Sequence, residues 1–226
     1  MNRFYLPTEL DSGELTITDP RIVHQCKNVL RMEPGSMFSL FNGNSIEWHA
    51  TIREFGKNTC TVSVEGQLER ETESERAVHA GIAILKKENF ELVAQKLVEM
   101  GIASITPLIS HRTIKNNIDR ERVQKIMIEA AEQAGRLYVP ELTEPASVAD
   151  FLERQKTVAV FQMNGIPVHE AKHASEITFM IGPEGGWSTE ELELFSEKQL
   201  PHYSLGKTVL RAETAAIIGA HRLLWN

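Results

Sequence analysis

The sequence Ile181-Gly182-Pro183-Glu184-Gly185-Gly186-Trp187-Ser188 marks the point where an apolar strand ends and a helix begins. A second stretch of the same kind follows, Ser204-Leu205-Gly206-Lys207-Thr208-Val209-Leu210-Arg211-Ala212-Glu213-Thr214. We name residues 182–188 the glycine loop and residues 204–211 the C-terminal loop. Glycine permits sharp bends and close approach of a ligand, and the start of a helix attracts anionic groups. Because open α/β folds bind ligands at such strand ends, we expect the functional site between these two loops.

Neither loop carries a common nucleotide-binding fingerprint. The glycine loop lacks the Lys-Ser/Thr of a P-loop and the G-x-G-x-x-G spacing of a dinucleotide fold. Taken alone, it fits an ordinary Gly-Pro turn equally well. The second bend, with Arg211 and Glu213 beside it, favours one pocket shared by both loops. A surface ion pair that caps the last helix is the alternative interpretation of Arg211 and Glu213.

The pattern around the loops predicts an α/β domain. Gly101 and Gly135 each follow an expected helix, and Ser188 with Glu191 predicts a capping box before another. The alternation of strands and helices indicates a mostly parallel sheet covered by helices on both faces. Strands are expected at residues 78–85, 102–109, 158–161 and 177–181, and helices at residues 88–100, 119–134 and 213–225.

A smaller β-rich domain with one helix is expected at residues 1–71. Thr18-Asp19-Pro20 predicts a helix start, because Asp19 can cap the helix and Pro20 suits its first turn. Asn42-Gly43-Asn44 predicts a hairpin between strands at 37–41 and 46–52, and residues 59–64 alternate as a half-buried strand. The polar segment 68–76 lacks apolar periodicity, so we place the domain boundary near residue 72. The second domain then spans residues 72–226.

Composition excludes several classes of protein. No apolar stretch approaches the roughly 20 residues of a membrane helix, and residues 1–7 lack a secretory signal, so we expect a cytoplasmic protein. The only cysteines, Cys26 and Cys60, have no ligand spacing around them, which predicts buried thiols and no metal site. The net charge of −7 argues against a general nucleic-acid binder. Residues 111–125 nevertheless hold five basic and two acidic side chains, a local cluster whose alternative interpretation is a solvated helix start.

The two loops resemble the signature loops of the SPOUT, or α/β-knot, methyltransferases. The resemblance is specific to the family that methylates N3 of a uridine in 16S ribosomal RNA. The related ribose-2′-O methyltransferases have a similar Gly-Pro-Glu-Gly turn but usually an Asn-rich last loop. Three further blocks match in the same order: HQCKNVLR at 24–31 with Pro34-Gly35, QKLVEMG at 95–101 with Pro107-Leu108, and EAAEQAGR at 129–136 with Val139-Pro140.

The resemblance implies a trefoil-knotted SPOUT domain that binds S-adenosylmethionine, preceded by a PUA-like β-barrel that helps to hold RNA. It also implies a homodimer, for which the apolar end Leu223-Leu224-Trp225 of the last helix is the expected partner surface. The expected substrate is 16S rRNA or the small ribosomal subunit. The cofactor is expected to contact Gln162, Met163, Gly182, Pro183, Glu184, Gly185, Gly186, Ser204, Leu205, Gly206 and Leu210.

Methyl transfer to N3 requires alignment with the methyl donor, loss of the N3 proton and stabilisation of charge on the uracil oxygens. Arg211 is a permanent cation and suits the stabilising role. Glu213 or Glu184 orients that arginine or assists proton removal, and the general base stays unassigned. The expected catalytic residues are Arg211 and Glu213. By the resemblance, the substrate contacts are Arg31, Arg112, Glu129, Gln133 and Arg136, the last three on one face of the helix at 119–134.

Three functions remain open at this point. The first is an rRNA uridine N3-methyltransferase, the second is a SPOUT enzyme acting on another RNA position, and the third is a catalytically silent PUA-type RNA-binding protein. Intact Arg211, Glu213 and loop glycines disfavour the third. The string Leu210-Arg211-Ala212-Glu213-Thr214 favours the first over the second.

Overall fold

The computed structural model describes residues 2–69, 73–114, 117–170 and 175–225. The chain forms two compact units, Met1–Glu73 with Ala131–Val139, and Ser74–Ala130 with Pro140–Asn226. The boundary expected near residue 72 falls in residues 70–72, outside the described residues. Residues 131–139, expected in the second domain, group with the first unit. The reason lies in Glu132, whose carboxylate accepts hydrogen bonds from the backbone N–H of Tyr5 at 2.9 Å and from the Arg21 guanidinium at 2.5 Å.

The first unit is built on one sheet. Its described elements are β1 (Arg3–Tyr5), β2 (Gly13–Ile17), α1 (Pro20–His24), a π-helical turn (Gln25–Val29), β3 (Met37–Phe41), β4 (Ile46–Phe55) and β5 (Cys60–Glu69). The strand order is β1-β3-β4-β5-β2, in which only the β1–β3 pair is parallel. The predicted hairpin is confirmed, because β3 and β4 pair antiparallel around Asn42-Gly43-Asn44. The predicted helix start is confirmed as well, since Asp19 accepts a 2.8 Å hydrogen bond from the backbone N–H of Arg21.

Both cysteines are buried in the apolar core of the first unit, as expected from the sequence. Cys26 lies in the π-helical turn and Cys60 begins β5, and neither is exposed to solvent. Burial raises the pKa of the Cys26 thiol to about 12 and that of Cys60 to about 11. Because the thiolate is the reactive form, burial and the raised pKa values predict low reactivity of both thiols at neutral pH.

The second unit is built on a parallel sheet. Its described strands are β6 (Ala77–Ala83), β7 (Ser104–Ile109), β8 (Glu141–Leu142), β9 (Ala146–Ser147), β10 (Val158–Pro167), β11 (Glu176–Ile181) and β12 (His202–Ser204). Its described helices are α2 (Lys87–Met100), α3 (Arg120–Ala134), α4 (Val148–Arg154), a 3₁₀ turn (Val168–Glu170), α5 (Thr189–Glu197) and α6 (Ala212–Leu224). Every observed strand pair is parallel, which confirms the predicted sheet type.

The strand order β12-β10-β11-β6-β7-β8 positions the candidate site, because it reverses at β6. From β6 the chain adds β7 and β8 on one side, whereas β11, β10 and β12 lie on the other. β6 and β11 pair from Ala77 with Glu176 to Ile82 with Ile181, so their carboxyl ends lie side by side. Such a switch point of the strand order is the usual ligand crevice of an open α/β sheet.

The C-terminal helix corrects one expectation. α6 packs against α2, β6 and β11, and its residues Leu223 and Leu224 are only 2% and 6% exposed. The Arg76 guanidinium donates a 2.5 Å hydrogen bond to the carbonyl of Leu223 and fixes this end of the helix. Of the expected apolar partner surface, Trp225 alone remains exposed, at 60%.

Candidate functional site

A cavity of about 720 Å³ lies at the carboxyl ends of β11 and β12, beside residues 161–163 in the middle of β10. This volume falls in the range of small-molecule sites, roughly 300–1,000 Å³. Both loops singled out in the sequence contribute to it, so they do form one pocket. The lining residues are Lys86, Asn89, Phe161, Gln162, Met163, Ile181, Gly182, Pro183, Glu184, Gly186, Trp187, Leu192, Ser204, Leu205, Gly206, Thr208, Val209, Leu210, Arg211, Ala212, Glu213 and Ala215.

The glycine loop forms one wall because its backbone bends tightly after β11. The N–H of Gly186 donates a 2.8 Å hydrogen bond to the carbonyl of Pro183, and Gly186 has a φ of +69° that favours glycine. A Cβ on Gly182 would lie 3.0 Å from Cε2 of the Trp187 ring, so that ring occupies the space of a side chain. Gly185, an expected cofactor contact, does not line the cavity.

The second wall comes from an excursion of β10. Tyr203 of β12 pairs with both Phe161 and Ile166, so residues 162–165 leave the ladder between these two positions. A Cβ on Gly165 would lie 2.5 Å from the carbonyl carbon of Tyr203, so the excursion requires glycine at its close approach to β12. This bend brings Gln162 and Met163 to the cavity wall.

A hydrogen bond links this excursion to β12. The Gln162 side-chain amide contacts Nδ1 of His202. Burial lowers the pKa of His202 from its ordinary value of 6.5, so the neutral imidazole predominates at neutral pH. A neutral Nδ1 can accept the amide hydrogen, which orients Gln162 at the cavity wall.

The C-terminal loop closes the third side of the cavity. Ser204 stabilises its first bend, because its hydroxyl donates to the carbonyl of Gly206 at 2.9 Å and accepts from the N–H of Gly206 at 3.3 Å. Gly206 has a φ of +152°, and no atom outside its neighbours lies within 4 Å of a Cβ built there. Leu205 and Leu210 complete this wall, while Val209 is 81% exposed.

Arg211 and Glu213 lie where the C-terminal loop enters α6. The Arg211 side chain is 87% exposed, and its Nη1 lies 3.9 Å from Oε1 of Glu213, whose side chain is only 12% exposed. Oε2 of Glu213 is buried and has no hydrogen-bond partner among the described residues. The separation of 3.9 Å is at the outer limit of an ion pair, which leaves the guanidinium available to another anionic group.

The segment 110–112, which follows β7, contacts the glycine loop. The Arg112 guanidinium donates a 2.8 Å hydrogen bond to the carbonyl of Gly185, so this expected substrate contact lies beside the glycine loop. The neighbouring His111 contacts the same loop, because its Nδ1 lies 2.9 Å from the Ser188 hydroxyl.

The remaining expected substrate contacts are spread over both units. Arg31 is exposed in the first unit, with a φ of +49°, and Glu129 and Gln133 are exposed on α3. Arg136 contradicts the expectation of a shared helix face, because α3 ends at Ala134 and Gly135 turns the chain with a φ of +81°. The Arg136 side chain is 4% exposed and forms an ion pair with Glu73.

Two arginines of the basic cluster at 111–125, Arg120 and Arg122, are engaged by contacts inside the second unit. Arg122 forms a bidentate ion pair with Glu91 at 2.7 and 3.0 Å, and Arg122 lowers the pKa of that carboxyl. Arg120 donates to the carbonyls of residues 142 and 143, and Lys115 lies outside the described residues. For Arg120 and Arg122, these contacts favour a role at the start of α3 over a role in nucleic-acid binding.

Lys86 and Asn89 are cavity residues that the sequence patterns did not indicate. They lie at the start of α2, directly beyond β6, and the N–H of Lys86 is 3.5 Å from Oε1 of Glu184. The sequence did indicate that a strand ends near residue 85 and that a helix follows it. This pattern places Lys86 and Asn89 at the cavity only when β6 is known to lie beside β11.

Two kinds of feature are absent from the described residues, a membrane-spanning helix and a cluster of metal ligands. None of the described helices combines the length and apolar character needed to cross a membrane. Within the same residues, no group of three or more His, Cys, Asp or Glu side chains is arranged to hold a metal ion.

The sequence matches two known domain families. Residues 72–224 match the RNA methyltransferase domain, and residues 17–65 match the RNA methyltransferase PUA domain. Ribosomal RNA small subunit methyltransferase E of Rickettsia conorii is 32% identical over 225 residues, covering 96% of this chain and 92% of that protein. The protein of the same name from Synechocystis is 29% identical over 230 residues, covering 94% and 73%.

Solved structures share the whole fold. The ribosomal RNA small subunit methyltransferase E of Neisseria gonorrhoeae, crystallised with S-adenosyl methionine, has a TM-score of 0.92 at 31% identity and covers 100% of this chain and 98% of that one. A Legionella pneumophila methyltransferase in complex with the same cofactor has a TM-score of 0.91 at 36% identity, with 98% and 96% covered. The chain belongs to the RNA methyltransferase family, with a PUA domain preceding the methyltransferase domain.

Proposed function

We propose that this protein is an S-adenosylmethionine-dependent methyltransferase that modifies N3 of a specific uridine in 16S rRNA of the small ribosomal subunit. The observation that carries the proposal is one cavity shared by both loops and the β10 excursion, with Arg211 beside it. The names of the Rickettsia and Synechocystis relatives support small-subunit rRNA as the substrate. The string from Leu210 to Thr214 supports uridine N3 through its resemblance to that family.

The cavity suits S-adenosylmethionine in size and chemistry. Phe161, Ile181 and Leu210 offer apolar surface for an adenine ring, and the glycine-rich bends bring backbone polar groups to the ligand. Nε1 of Trp187 is buried without a hydrogen-bond partner among the described residues, which is a polar atom left uncompensated at this wall. The two SAM-bound structures support the same cofactor here. When bound, it supplies an activated methyl group on a sulfonium.

The residues of this chain would bind and orient the reactants. The Arg211 guanidinium, exposed and only weakly paired, would stabilise negative charge that develops on the uracil oxygens as N3 loses its proton. Glu213 lies beneath it with one carboxylate oxygen toward Nη1, which suits orientation of the arginine. Glu184 instead faces the backbone N–H of Lys86, at the start of α2.

On the substrate side, we assign RNA contacts to the exposed side chains Arg31, Arg112, Glu129 and Gln133. One guanidinium N–H of Arg112 is bonded to Gly185, which leaves further donors for a phosphate or base. Arg136 is omitted, because it is buried in an ion pair with Glu73.

The rest of the family architecture is part of the same proposal. It comprises a PUA-like barrel at 1–71 for RNA binding, a trefoil-knotted SPOUT domain at 72–226, a cytoplasmic location and a homodimer. Trp225 and Ile218, which are 60% and 37% exposed on and after α6, supply apolar surface for a second subunit. Light scattering that finds only a 25.5 kDa species would exclude the dimer.

Mass-spectrometric mapping of rRNA tests the function directly. Ribosomal RNA from a strain lacking the gene should miss one methyl group on a uridine base of 16S rRNA, and the purified protein with S-adenosylmethionine should restore it. A missing methyl group at a ribose or at another base would favour a SPOUT enzyme of different specificity. Unchanged RNA, together with no transfer in vitro, would favour the catalytically silent RNA-binding protein.

A further inference from the structure

Glu191 is a buried carboxylate that lies outside the cavity lining. It is the third residue of α5 and is only 3% exposed. Its Oε2 accepts hydrogen bonds from the N–H of Ser188 at 2.7 Å and from the Ser110 hydroxyl at 3.1 Å. Its Oε1 accepts a further one from the N–H of His111 at 3.1 Å. Both carboxylate oxygens are therefore hydrogen-bonded. Ser110 and His111, two of the three donors, lie about 80 positions from Glu191 in the sequence.

The donors belong to two different segments. Ser188 ends the glycine loop, whereas Ser110 and His111 follow β7. Two other contacts join the same segments: Nδ1 of His111 with the Ser188 hydroxyl at 2.9 Å, and Arg112 with the carbonyl of Gly185 at 2.8 Å. The segment 110–112 thus contacts the glycine loop at two positions, Gly185 and Ser188.

We infer that Glu191 is a positioning residue that braces the glycine loop against segment 110–112, and thereby sets the shape of the cofactor wall. The inference rests on the proposed binding of S-adenosylmethionine in the cavity. A capping box alone requires only the bonds between Ser188 and Glu191. The bonds from Ser110 and His111 exceed that need, and their effect is to join two loops that the backbone leaves separate.

The chemistry of the brace requires a carboxylate. A glutamine at 191 would present one acceptor oxygen and one NH₂ group. In one orientation the amide oxygen would face Ser188 and Ser110, and the NH₂ group would face the N–H of His111. In the other orientation the NH₂ group would face the N–H of Ser188 and the Ser110 hydroxyl. Either orientation sets a donor against one backbone N–H, that of His111 or that of Ser188, and so weakens the link between the segments.

The brace also connects the cofactor wall to an expected substrate contact. Arg112 is adjacent to His111 and is itself bonded to Gly185. A ligand that orders the glycine loop would therefore order Arg112, so cofactor binding and RNA binding would favour each other.

Three variants test this role through cofactor affinity. Ser110→Ala removes one hydroxyl of the brace and leaves the capping box intact, while Glu191→Gln sets a donor against one backbone N–H in either amide orientation. Glu193→Gln, at an exposed position of the same helix, is the matched control. The Kd for S-adenosylmethionine is measured by calorimetry, well below the unfolding temperature of each variant, and RNA kinetics give KM and kcat separately.

We expect a Kd about tenfold higher for Ser110→Ala and Glu191→Gln, equal to about 1.4 kcal/mol, and an unchanged Kd for the control. Tighter cofactor binding in the presence of RNA should also diminish in both variants. A lower unfolding temperature with a Kd within twofold of wild type would overturn the inference, and so would an effect of Glu191→Gln without one of Ser110→Ala. Failure of the wild-type protein to bind S-adenosylmethionine would instead contradict the proposed function.

Discussion

Replacing Arg211 by alanine tests its proposed catalytic role with little expected effect on folding. The side chain is 87% exposed and its contact with Glu213 is 3.9 Å long, so little stabilising interaction is lost. Substitutions at such positions change the free energy of unfolding by about 0.5 kcal/mol or less. We therefore expect Arg211→Ala to fold and melt like the wild-type protein.

The expected loss is in the chemical step. Removing one preorganised donor from developing negative charge lowers kcat by about 10²–10³-fold, or about 2.7–4 kcal/mol of transition-state stabilisation. Arg211 also lines the cavity, so we allow the cofactor Kd to rise by up to about tenfold, or about 1.4 kcal/mol. Measuring kcat at saturating cofactor prevents this weaker binding from affecting the measured rate.

The assay is transfer of a radiolabelled methyl group to small subunits or 16S rRNA from a strain lacking the gene, with both substrates saturating. Lys207→Ala is the matched control, because Lys207 is an exposed cation of the same loop that does not line the cavity. Arg211→Lys retains the charge but loses the planar fork, so an intermediate rate is expected. A kcat for Arg211→Ala within threefold of wild type, with the control unchanged, would refute the catalytic role of Arg211.

Three further predictions follow from packing and protonation. Gly165→Ala would place a Cβ 2.5 Å from the backbone of Tyr203, so denaturant unfolding should show a loss of roughly 1–3 kcal/mol, with weaker cofactor binding; wild-type stability would contradict this close approach. Burial lowers the pKa of His202 from its ordinary value of 6.5, so the folded protein favours the neutral imidazole. The free energy of unfolding therefore includes the full contribution of His202 above pH 6.5, and this contribution is lost as the pH falls toward the lowered pKa. The slope of stability against pH between 6.5 and 5 should therefore be shallower in His202→Gln than in wild type, and equal slopes would disprove the assignment. Cys26 and Cys60, with pKa values raised to about 12 and 11, should react with a thiol reagent only as fast as the protein unfolds, whereas rapid labelling of the native protein would show that they are accessible.

The local features of the site were predictable because each depends on a few neighbouring residues. Ser188 and Glu191 form the expected capping box, and Gly101 ends α2 in the left-handed conformation. Both loops lie at strand ends, as the change from an apolar run to glycine indicates. The prediction that Arg211 and Glu213 lie close together is also local, since they are two positions apart at a helix start.

Other features depend on contacts between distant parts of the chain and could not be predicted. Arg136 was expected on a helix face, yet its charge is neutralised by Glu73, which is 63 positions away. Leu223 and Leu224 were expected to be exposed, yet α6 buries them within the chain. Periodicity shows that a residue is apolar or polar, but it does not show which surface will cover it.

The sequence by itself determined the alternation of strands and helices, the two bends that line the cavity and, through their resemblance, the family. Only the tertiary structure decided that β6 lies beside β11, and this pairing brings Lys86 and Asn89 to the cavity. It also decided that Gln162 enters the wall through an excursion of β10 and that Glu191 joins segment 110–112 to the glycine loop. The physical reason is that turns and caps form between neighbouring residues, whereas strand order and buried hydrogen bonds join groups that meet only in the folded chain.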